Sequence, residues 1–328
     1  MKKIVKLPFE EKPLCIMYQH IAFPLGIVQG NAKSRHLPVL FSKYIKCTYD
    51  KNGGPSKFII GDDFWFDKVK LIKRYNLLID NVIYKNNSFE LLKIMRKMLE
   101  KGYYVEGNCN ENWIPGKSCY KKTYFFHTFI LIGYNDVERI FYSVGFLKNK
   151  EFQCYKITYD DMIKAIETAD ECNIKIQFRE YNFSCSLTFD VSETFSVLKE
   201  YINPEKNYDD MDKFYGIDAI ETLCNEISIS QFADYRYTRG LMEHKNFINM
   251  YVKYLYENNY LDDHNLVETS QTVLDISKKL HLIVVKHMMV QKKCPVDKVV
   301  ELMKKIVDLE KYYISKIIQV LGKRGNNV

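Results

Sequence analysis

The sequence predicts an α+β protein, in which a mixed N-terminal domain precedes an all-helical C-terminal domain. Upstream of Pro204, glycines and turn residues separate short β-branched or aromatic runs, which is typical of strands. Downstream of Pro204, glycine and proline become rare and apolar residues recur with a helical period. The 328 residues, 47% apolar and 27% charged, are enough for two globular domains. We expect residues 1–200 and 201–328 to form them.

The N-terminal domain is expected to hold several strands and two helices. Apolar runs bounded by turn residues predict strands at 58–61, 128–133 and 139–144. Apolar side chains at helical spacing predict a helix over 88–101. Thr158, with two acids just after it, predicts a second helix over 158–168 because such residues satisfy the free N–H groups of a first turn.

Four long helices are predicted in the C-terminal domain, at 214–228, 235–258, 265–290 and 295–321. The last is the clearest, since its apolar residues form one stripe and Pro295 suits a first helical turn. The aromatic residues of these helices are expected in the core or in an interface, and a homodimer is one candidate assembly.

The charge balance bears on the kind of partner. The net charge of +7 comes from 48 basic and 41 acidic side chains, and the basic ones are scattered rather than gathered in an arm. A mildly positive surface suits an acidic partner. Without a binding motif or a basic block, we expect no nucleic acid.

The chain is expected to be cytoplasmic. No stretch approaches the ~18–20 apolar residues of a membrane helix, so no membrane partner is expected. The lysine-rich start lacks the apolar centre of a signal peptide. Nine cysteines without a C-x-x-C pair indicate a reducing compartment and mostly inert thiols.

Cys15 is the first candidate for chemistry. It precedes the apolar run 16–23, which we predict to be a buried helix that opens at Cys15. The N-terminus of a helix favours a thiolate, and its N–H groups can stabilise an oxyanion. The alternative is that Cys15 is a small buried hydrophobe, as free cysteines commonly are.

His127 is the second candidate, because it opens the apolar strand predicted over 128–133. A core histidine held by hydrogen bonds is the alternative. An early cysteine and a later strand histidine follow the chain order of papain-like thiol enzymes, in which the fold brings distant residues together.

The third residue of such a site orients the imidazole. The next predicted strand contains no Asn or Asp. Ser143 stands at about the expected position, and Asn149 lies a little beyond it. Either residue, a dyad, or an orienting group from elsewhere in the fold would satisfy the pattern.

Substrate contacts are sought in the polar loop 107–116, which lies just before the histidine strand. The loop either lines a cleft or is a surface loop anchored by Trp113. Our candidate substrate-binding residues are Trp113, Asn110 and Tyr18. The weaker alternatives for chemistry are Cys109, Cys294 and His20. The histidines show no spacing typical of a metal site, so no metal is expected.

Two central motifs resemble the butirosin biosynthesis protein H family. They are Asn112-Trp113-Ile114-Pro115-Gly116 and the run 126–136, which contains His127 and ends in Gly133-Tyr134-Asn135-Asp136. Shorter similarities follow at 141–146, 157–161, 214–220 and 241–245. The resemblance implies a papain-like N-terminal domain similar to the bacteriocin-processing peptidases, with Cys15 as nucleophile and His127 as base. The chain departs from the pattern where Asn or Asp should follow His127 and where Gln should precede Cys15.

The resemblance also implies an activity. The named member of the family is an acyltransferase of antibiotic biosynthesis, which moves an aminoacyl chain from an acyl carrier protein to an amine of an aminoglycoside. By likeness, Cys15 would attack a thioester on the phosphopantetheine arm of an acidic acyl or peptidyl carrier protein. A small-molecule amine would accept the acyl group, with no other cofactor. The alternatives are a papain-like cysteine peptidase or amidohydrolase, and a non-catalytic binding or scaffold protein of a biosynthetic cluster.

Overall fold

The structure is a computed structural model that describes residues 3–32, 37–61, 65–68, 70–78, 88–169, 175–185, 188–205 and 211–325. It divides into two compact units, each built from two stretches of chain. The first unit comprises Met1–Ser34 and Phe64–Ser186, and the second comprises Arg35–Asp63 and Leu187–Val328.

The strands and helices of the described residues are as follows, in chain order. The strands are β1 Ile4–Lys6, β2 Cys47–Asp50, β3 Phe58–Ile60, β4 Ile72–Leu78, β5 Tyr104–Asn110, β6 Phe126–Asn135, β7 Ile140–Phe146, β8 Phe152–Thr158, β9 Lys175–Tyr181 and β10 Lys213–Tyr215. The helices are α1 Gln19–Ala32, α2 Leu37–Ile45, α3 Trp65–Lys68, α4 Ser88–Glu100, α5 Tyr159–Glu167, α6 Val191–Ile202, α7 Gly216–Ser230, α8 Tyr235–Glu257, α9 His264–Met289 and α10 Val296–Gly325.

An antiparallel sheet organises the first unit. Its strands follow the order β4-β9-β5-β6-β7-β8, and β1 pairs with the second half of β6. The apolar faces of α4 and α5 pack on the sheet around Met95, Phe129, Phe141 and Met162, which are all but inaccessible to solvent. The alternation of β6 and the helical spacing of α4 thus build one common core.

Helix α1 of the same unit is buried along most of its length. The chain before it lies against its later turns: Glu10 donates its N–H to the Gly26 carbonyl at 2.9 Å. A Cβ at Gly26 would stand 2.2 Å from the Phe9 ring, so only glycine permits this close approach.

The second unit contains the three-stranded sheet β10-β2-β3 and the helices α2 and α6 to α10. Its interior holds an ion pair without exposure to solvent, Lys245 Nζ to Glu310 Oε2 at 2.6 Å. The Tyr201 hydroxyl donates to the same carboxylate oxygen at 2.8 Å. A buried pair of this kind is tolerated because each charge is matched and hydrogen-bonded.

This division differs from the expected one at residue 200. Residues 47–50 form β2, which pairs with β10, and the Ile45 carbonyl contacts His244 Nε2 in α8 at 2.8 Å. Local sequence carries no signal of pairing between such distant segments, so the sequence alone predicts that residues 35–63 belong to the N-terminal domain.

The α+β class and the predicted helices over 88–101 and 158–168 are confirmed, as are the four C-terminal helices, although the last continues to Gly325 rather than ending at residue 321. The expectation that residues 201–328 are all-helical is wrong, because β10 at Lys213–Tyr215 pairs with β2. The predicted start of the first helix at Cys15 is wrong, because α1 begins at Gln19. No helix of the described residues is long and apolar enough to cross a bilayer.

Candidate functional site

His127 stands near the start of β6, beside the end of β5. The register pairs Cys109 with His127 and Asn110 with Phe126. Glu111 continues the ladder by donating its N–H to the Phe125 carbonyl at 2.9 Å. The strand pairing thus brings a carboxylate next to an imidazole that follows it by 16 positions in the chain.

The Asn110 side chain stabilises the turn at the end of β5 through hydrogen bonds. Its side-chain oxygen accepts the N–H groups of Asn112 at 3.0 Å and Phe125 at 3.3 Å. Its amide nitrogen donates to the Thr168 hydroxyl at 3.1 Å. Asn110, expected to bind substrate, therefore caps the short 3-10 turn that begins at Glu111 and fixes the direction of the Glu111 side chain.

Glu111 orients the imidazole of His127. Glu111 Oε1 lies 2.9 Å from His127 Nδ1. A carboxylate can only accept, so Nδ1 carries the proton and the lone pair resides on Nε2. The His127 side chain is 39% exposed, whereas that of Glu111 is 8% exposed. This is the arrangement of a general base whose tautomer is fixed by a buried acid.

Lys117 balances the charge of that acid. Its Nζ lies 2.8 Å from the same Glu111 oxygen and 5.3 Å from the centre of the Tyr155 ring. Burial raises the pKa of Glu111, but the hydrogen bond with His127 and the Lys117 ammonium outweigh it, and the net pKa lies below the ordinary value. Burial lowers the pKa of Lys117, yet Tyr155 and Glu111 raise it above its ordinary value. Both groups stay charged at neutral pH.

Ser143, expected to orient His127, is committed elsewhere. Its hydroxyl is fully buried and donates to the Ile130 carbonyl at 2.8 Å, beside the bulge where β6 and β7 change register. Asn149 donates to Glu151 at 2.9 Å on an exposed turn. The structure therefore corrects the expected third residue. Glu111, which directly follows the strand before His127, contacts the imidazole. Ser143, on the strand after His127, hydrogen-bonds to Ile130 instead.

Cys15 lies in the buried segment before α1. It is 0% exposed, and its neighbour Leu14 donates its N–H to Gln29 Oε1 at 3.0 Å. Because α1 begins at Gln19, Cys15 precedes the helix rather than opening it. The dipole and free N–H groups of the helix N-terminus, which were expected to activate Cys15, belong to the turn that starts at Gln19.

Gln19 occupies the N-terminus of α1, close to the histidine strand. Its Oε1 accepts from the Thr128 hydroxyl at 3.3 Å. Its Nε2 is buried without a hydrogen-bond partner among the described residues. A Cβ at Gly145 would stand 2.7 Å from this Nε2 and 3.3 Å from Lys117 Nζ, so the glycine leaves room for both side chains. Gln19 thus offers an unused donor near the strand of His127.

The thiols nearest to Glu111 are not suited to attack. Burial raises the pKa of Cys109 far above its ordinary value, and the Glu111 carboxylate adds to the effect. Burial followed by Glu111 also raises the pKa of Cys119, whose sulfur lies 3.7 Å from Glu111 Oε2. No cysteine within the described ranges is part of a disulfide.

The two other expected substrate residues make local contacts. Trp113 is partly buried against the core of the first unit, and Lys164 Nζ of α5 lies 5.2 Å from its ring centre. Tyr18 stacks on His20 with ring centres 5.4 Å apart, and its carbonyl accepts the N–H of Ala22 at 2.9 Å. Trp113 therefore anchors the loop after β5, and Tyr18 begins the first turn of α1.

The site contains three residues that the sequence did not single out: Glu111, Lys117 and Gln19. The sequence carries no local signal for these three residues, because the neighbours of His127 depend on the register between β5 and β6. No group of three metal-binding side chains occurs in the portion of the chain described.

No family model matches the chain, and no curated protein matches it. The resemblance to the butirosin biosynthesis protein H family therefore rests on the short motifs at 112–116 and 126–136.

Proposed function

We propose that this protein is an acyltransferase that joins an acyl group to an amine, with His127 as its general base. The observation that carries the proposal is the half-exposed His127 imidazole, whose Nδ1 is held at 2.9 Å by the buried carboxylate of Glu111. Such a pair removes a proton from an incoming nucleophile, and Glu111 stabilises the imidazolium that results.

The proposed reaction needs one proton carrier. An amine nitrogen attacks the carbonyl carbon of a thioester while His127 Nε2 takes the amine proton. A C–N bond forms, the C–S bond breaks, and the imidazolium returns its proton to the leaving thiolate. Lys117 supports the cycle because it keeps Glu111 ionised. The products are an amide and a thiol.

The donor is proposed from the resemblance and the charge. The resembled family uses a carrier-bound thioester on a phosphopantetheine arm, and carrier proteins are acidic. A net charge of +7 suits an acidic donor protein. A papain-like frame for the first unit is part of the same proposal, supported by the chain order of Cys15 and His127 and by the antiparallel sheet.

Two routes differ in the role of Cys15. The resemblance supports a covalent route in which the Cys15 thiolate first takes the acyl group. That thiol is 0% exposed, so the covalent route requires the segment before α1 to open. Direct attack by the amine needs no opening, and we favour it.

The test is intact-mass and product analysis with a panel of acyl thioesters and amines. We expect amide formation by the wild type, and a loss of about 10²–10⁴-fold in His127→Gln. Cys15→Ala should keep the activity, as should Cys294→Ala, a matched control on a partly exposed thiol of the second unit. An acyl adduct that vanishes in Cys15→Ala would establish the covalent route instead. Free acid formed equally with and without amine would make the protein a hydrolase.

A non-catalytic binding protein is the second candidate function. It is favoured by Gln19, because a carboxamide rather than a thiol stands at the N-terminus of α1, and its buried Nε2 is free to hold a ligand oxygen. Absence of amide, acid and adduct with every thioester, together with retained binding of one of them, would establish this function and refute acyl transfer.

A further inference from the structure

A pocket of about 280 Å³ opens in the second unit, where α7 ends, α8 begins and α9 ends. Its lining includes Phe232, Val284, Met288, Lys292, Lys293 and Cys294. We refer to it as the lysine-rimmed pocket. Its volume falls just below the ~300–1,000 Å³ of small-molecule sites, so it suits one inserted side chain better than a whole metabolite.

Exposed apolar side chains surround the pocket. Phe232 is 65% exposed and Met288 is 40% exposed, and both line the pocket. Large apolar side chains that meet at one place on a surface are a common mark of a binding site. Methionine and aromatic side chains are typical of protein-binding surfaces, and methionine adapts its shape to a partner.

The charge of this surface has one sign. Residues 286–294 contain three lysines and one histidine and no acid, and two of the lysines, Lys292 and Lys293, line the pocket. Of the residues whose positions are described, no acid forms an ion pair with Lys286, Lys292 or Lys293. Asp234, next to the pocket in the chain, is bound to Arg236 at 2.6 Å. The lysines around the pocket are therefore available to an acidic partner.

We propose that the lysine-rimmed pocket binds an acidic amphipathic helix of a partner protein. One apolar residue of that helix fills the pocket, its neighbours lie against Phe232 and Met288, and its carboxylates meet Lys292 and Lys293. This is the common mode in which a helix presents apolar anchors one turn apart to a groove. The surface is independent of His127 and of any acyl transfer.

The shape and charge separate this partner from two others. A two-fold contact with a second copy would place the same lysines opposite one another, which is repulsive. An anionic bilayer would attract the lysines but presents a flat surface that leaves the concave pocket unfilled. Only a partner with both carboxylates and a protruding apolar side chain satisfies all parts of the surface.

The test uses the full chain and a labelled synthetic helix with Leu and Phe on one face and Glu on the other, followed by fluorescence anisotropy. We expect saturable binding that protects Cys294 from an alkylating reagent and weakens with salt. Lys292→Glu combined with Lys293→Glu should weaken binding about tenfold. The matched control, Lys278→Glu with Lys279→Glu in α9, changes the net charge equally away from the pocket and should have little effect.

Several results would overturn the proposal. Equal weakening by the two double variants would reduce the interaction to general attraction between opposite charges. Equal binding of a peptide with Ser in place of Leu and Phe would show that the pocket is not used. Binding to anionic vesicles without binding to the peptide would assign the surface to a membrane, and self-association abolished by Met288→Asp would assign it to a second copy. Thermal unfolding of each variant checks that the fold is kept.

Discussion

Removing the charge of Glu111 perturbs the candidate site without any need to know the substrate. Glu111→Gln keeps the shape of the side chain but leaves Lys117, whose side chain is 4% exposed, without a counter-charge. Removing one partner of a buried ion pair costs about 3–5 kcal/mol. The Gln side chain still accepts one hydrogen bond, so we expect a loss near the lower end, about 3 kcal/mol.

The companion variants isolate the interaction. Lys117→Met alone should destabilise by a similar amount, because it leaves the buried Glu111 carboxylate without its ammonium partner. The double variant removes both charges and should cost no more than one single change, since replacement of a buried pair is often neutral. The two single losses together amount to about 6 kcal/mol, so we expect the changes to be non-additive by about 3 kcal/mol or more.

Hydrogen exchange of the β5 and β6 amides measures this effect locally, next to denaturant unfolding. A loss of about 3 kcal/mol corresponds to about a hundredfold faster exchange of amides that open together. Glu138→Gln is the matched control, because Glu138 pairs with Lys156 at 2.7 Å on the surface and should contribute less than about 1 kcal/mol. If the losses in Glu111→Gln and Lys117→Met are strictly additive, or if Glu138→Gln causes an equal loss, the buried ion pair between Glu111 and Lys117 is refuted as the source of this stability.

Three further outcomes are expected. The pKa of Glu111 is lowered in the folded state, so Glu111 stabilises the fold above pH 4.5, and this stabilisation is lost as the pH falls through the folded-state pKa. The pKa of Lys117 is raised in the folded state, so Lys117 stabilises the fold below pH 10.5, and this stabilisation is lost as the pH rises through the folded-state pKa. Unfolding followed against pH should show both slopes, and the double variant Glu111→Gln/Lys117→Met should lose them. Gly145→Ala places a Cβ 2.7 Å from Gln19 Nε2 and should lower the free energy of unfolding by about 1–3 kcal/mol. Adding Gln19→Ala should restore this stability, and a loss that persists in the double variant would contradict the close contact. Cys15 should react with an alkylating reagent only after unfolding, as measured by peptide mass; rapid reaction in the native protein would restore it as a nucleophile.

The candidate site has an imidazole oriented by a carboxylate, but its expected nucleophile, the Cys15 thiol, is not accessible to solvent. His127 Nε2 carries the lone pair because Glu111 fixes the tautomer, and Lys117 fixes the charge of Glu111. Cys15 is fully buried in the segment before α1. These features together favour direct transfer over a covalent intermediate, and they make the response to His127→Gln and Cys15→Ala the decisive comparison.

The helices were predictable because their signals are local. Thr158 caps α5 as the sequence indicated, accepting the N–H of Asp161 at 3.0 Å. The start of α1 was missed because residues 14–28 are mostly apolar and contain no Ser, Thr, Asp or Asn that would mark an N-cap. Local sequence therefore does not show that the helix begins at Gln19.

Periodicity and an isolated imidazole are readable within a few residues, so the α+β class, the four C-terminal helices and the prominence of His127 follow from the sequence. Only folding brings Glu111 rather than Ser143 to His127 and places residues 35–63 with the helical half. Both facts depend on strand partners far apart in the chain, β5 with β6 and β2 with β10. Local sequence holds no record of which distant strand completes a pair, so only the folded chain reveals it.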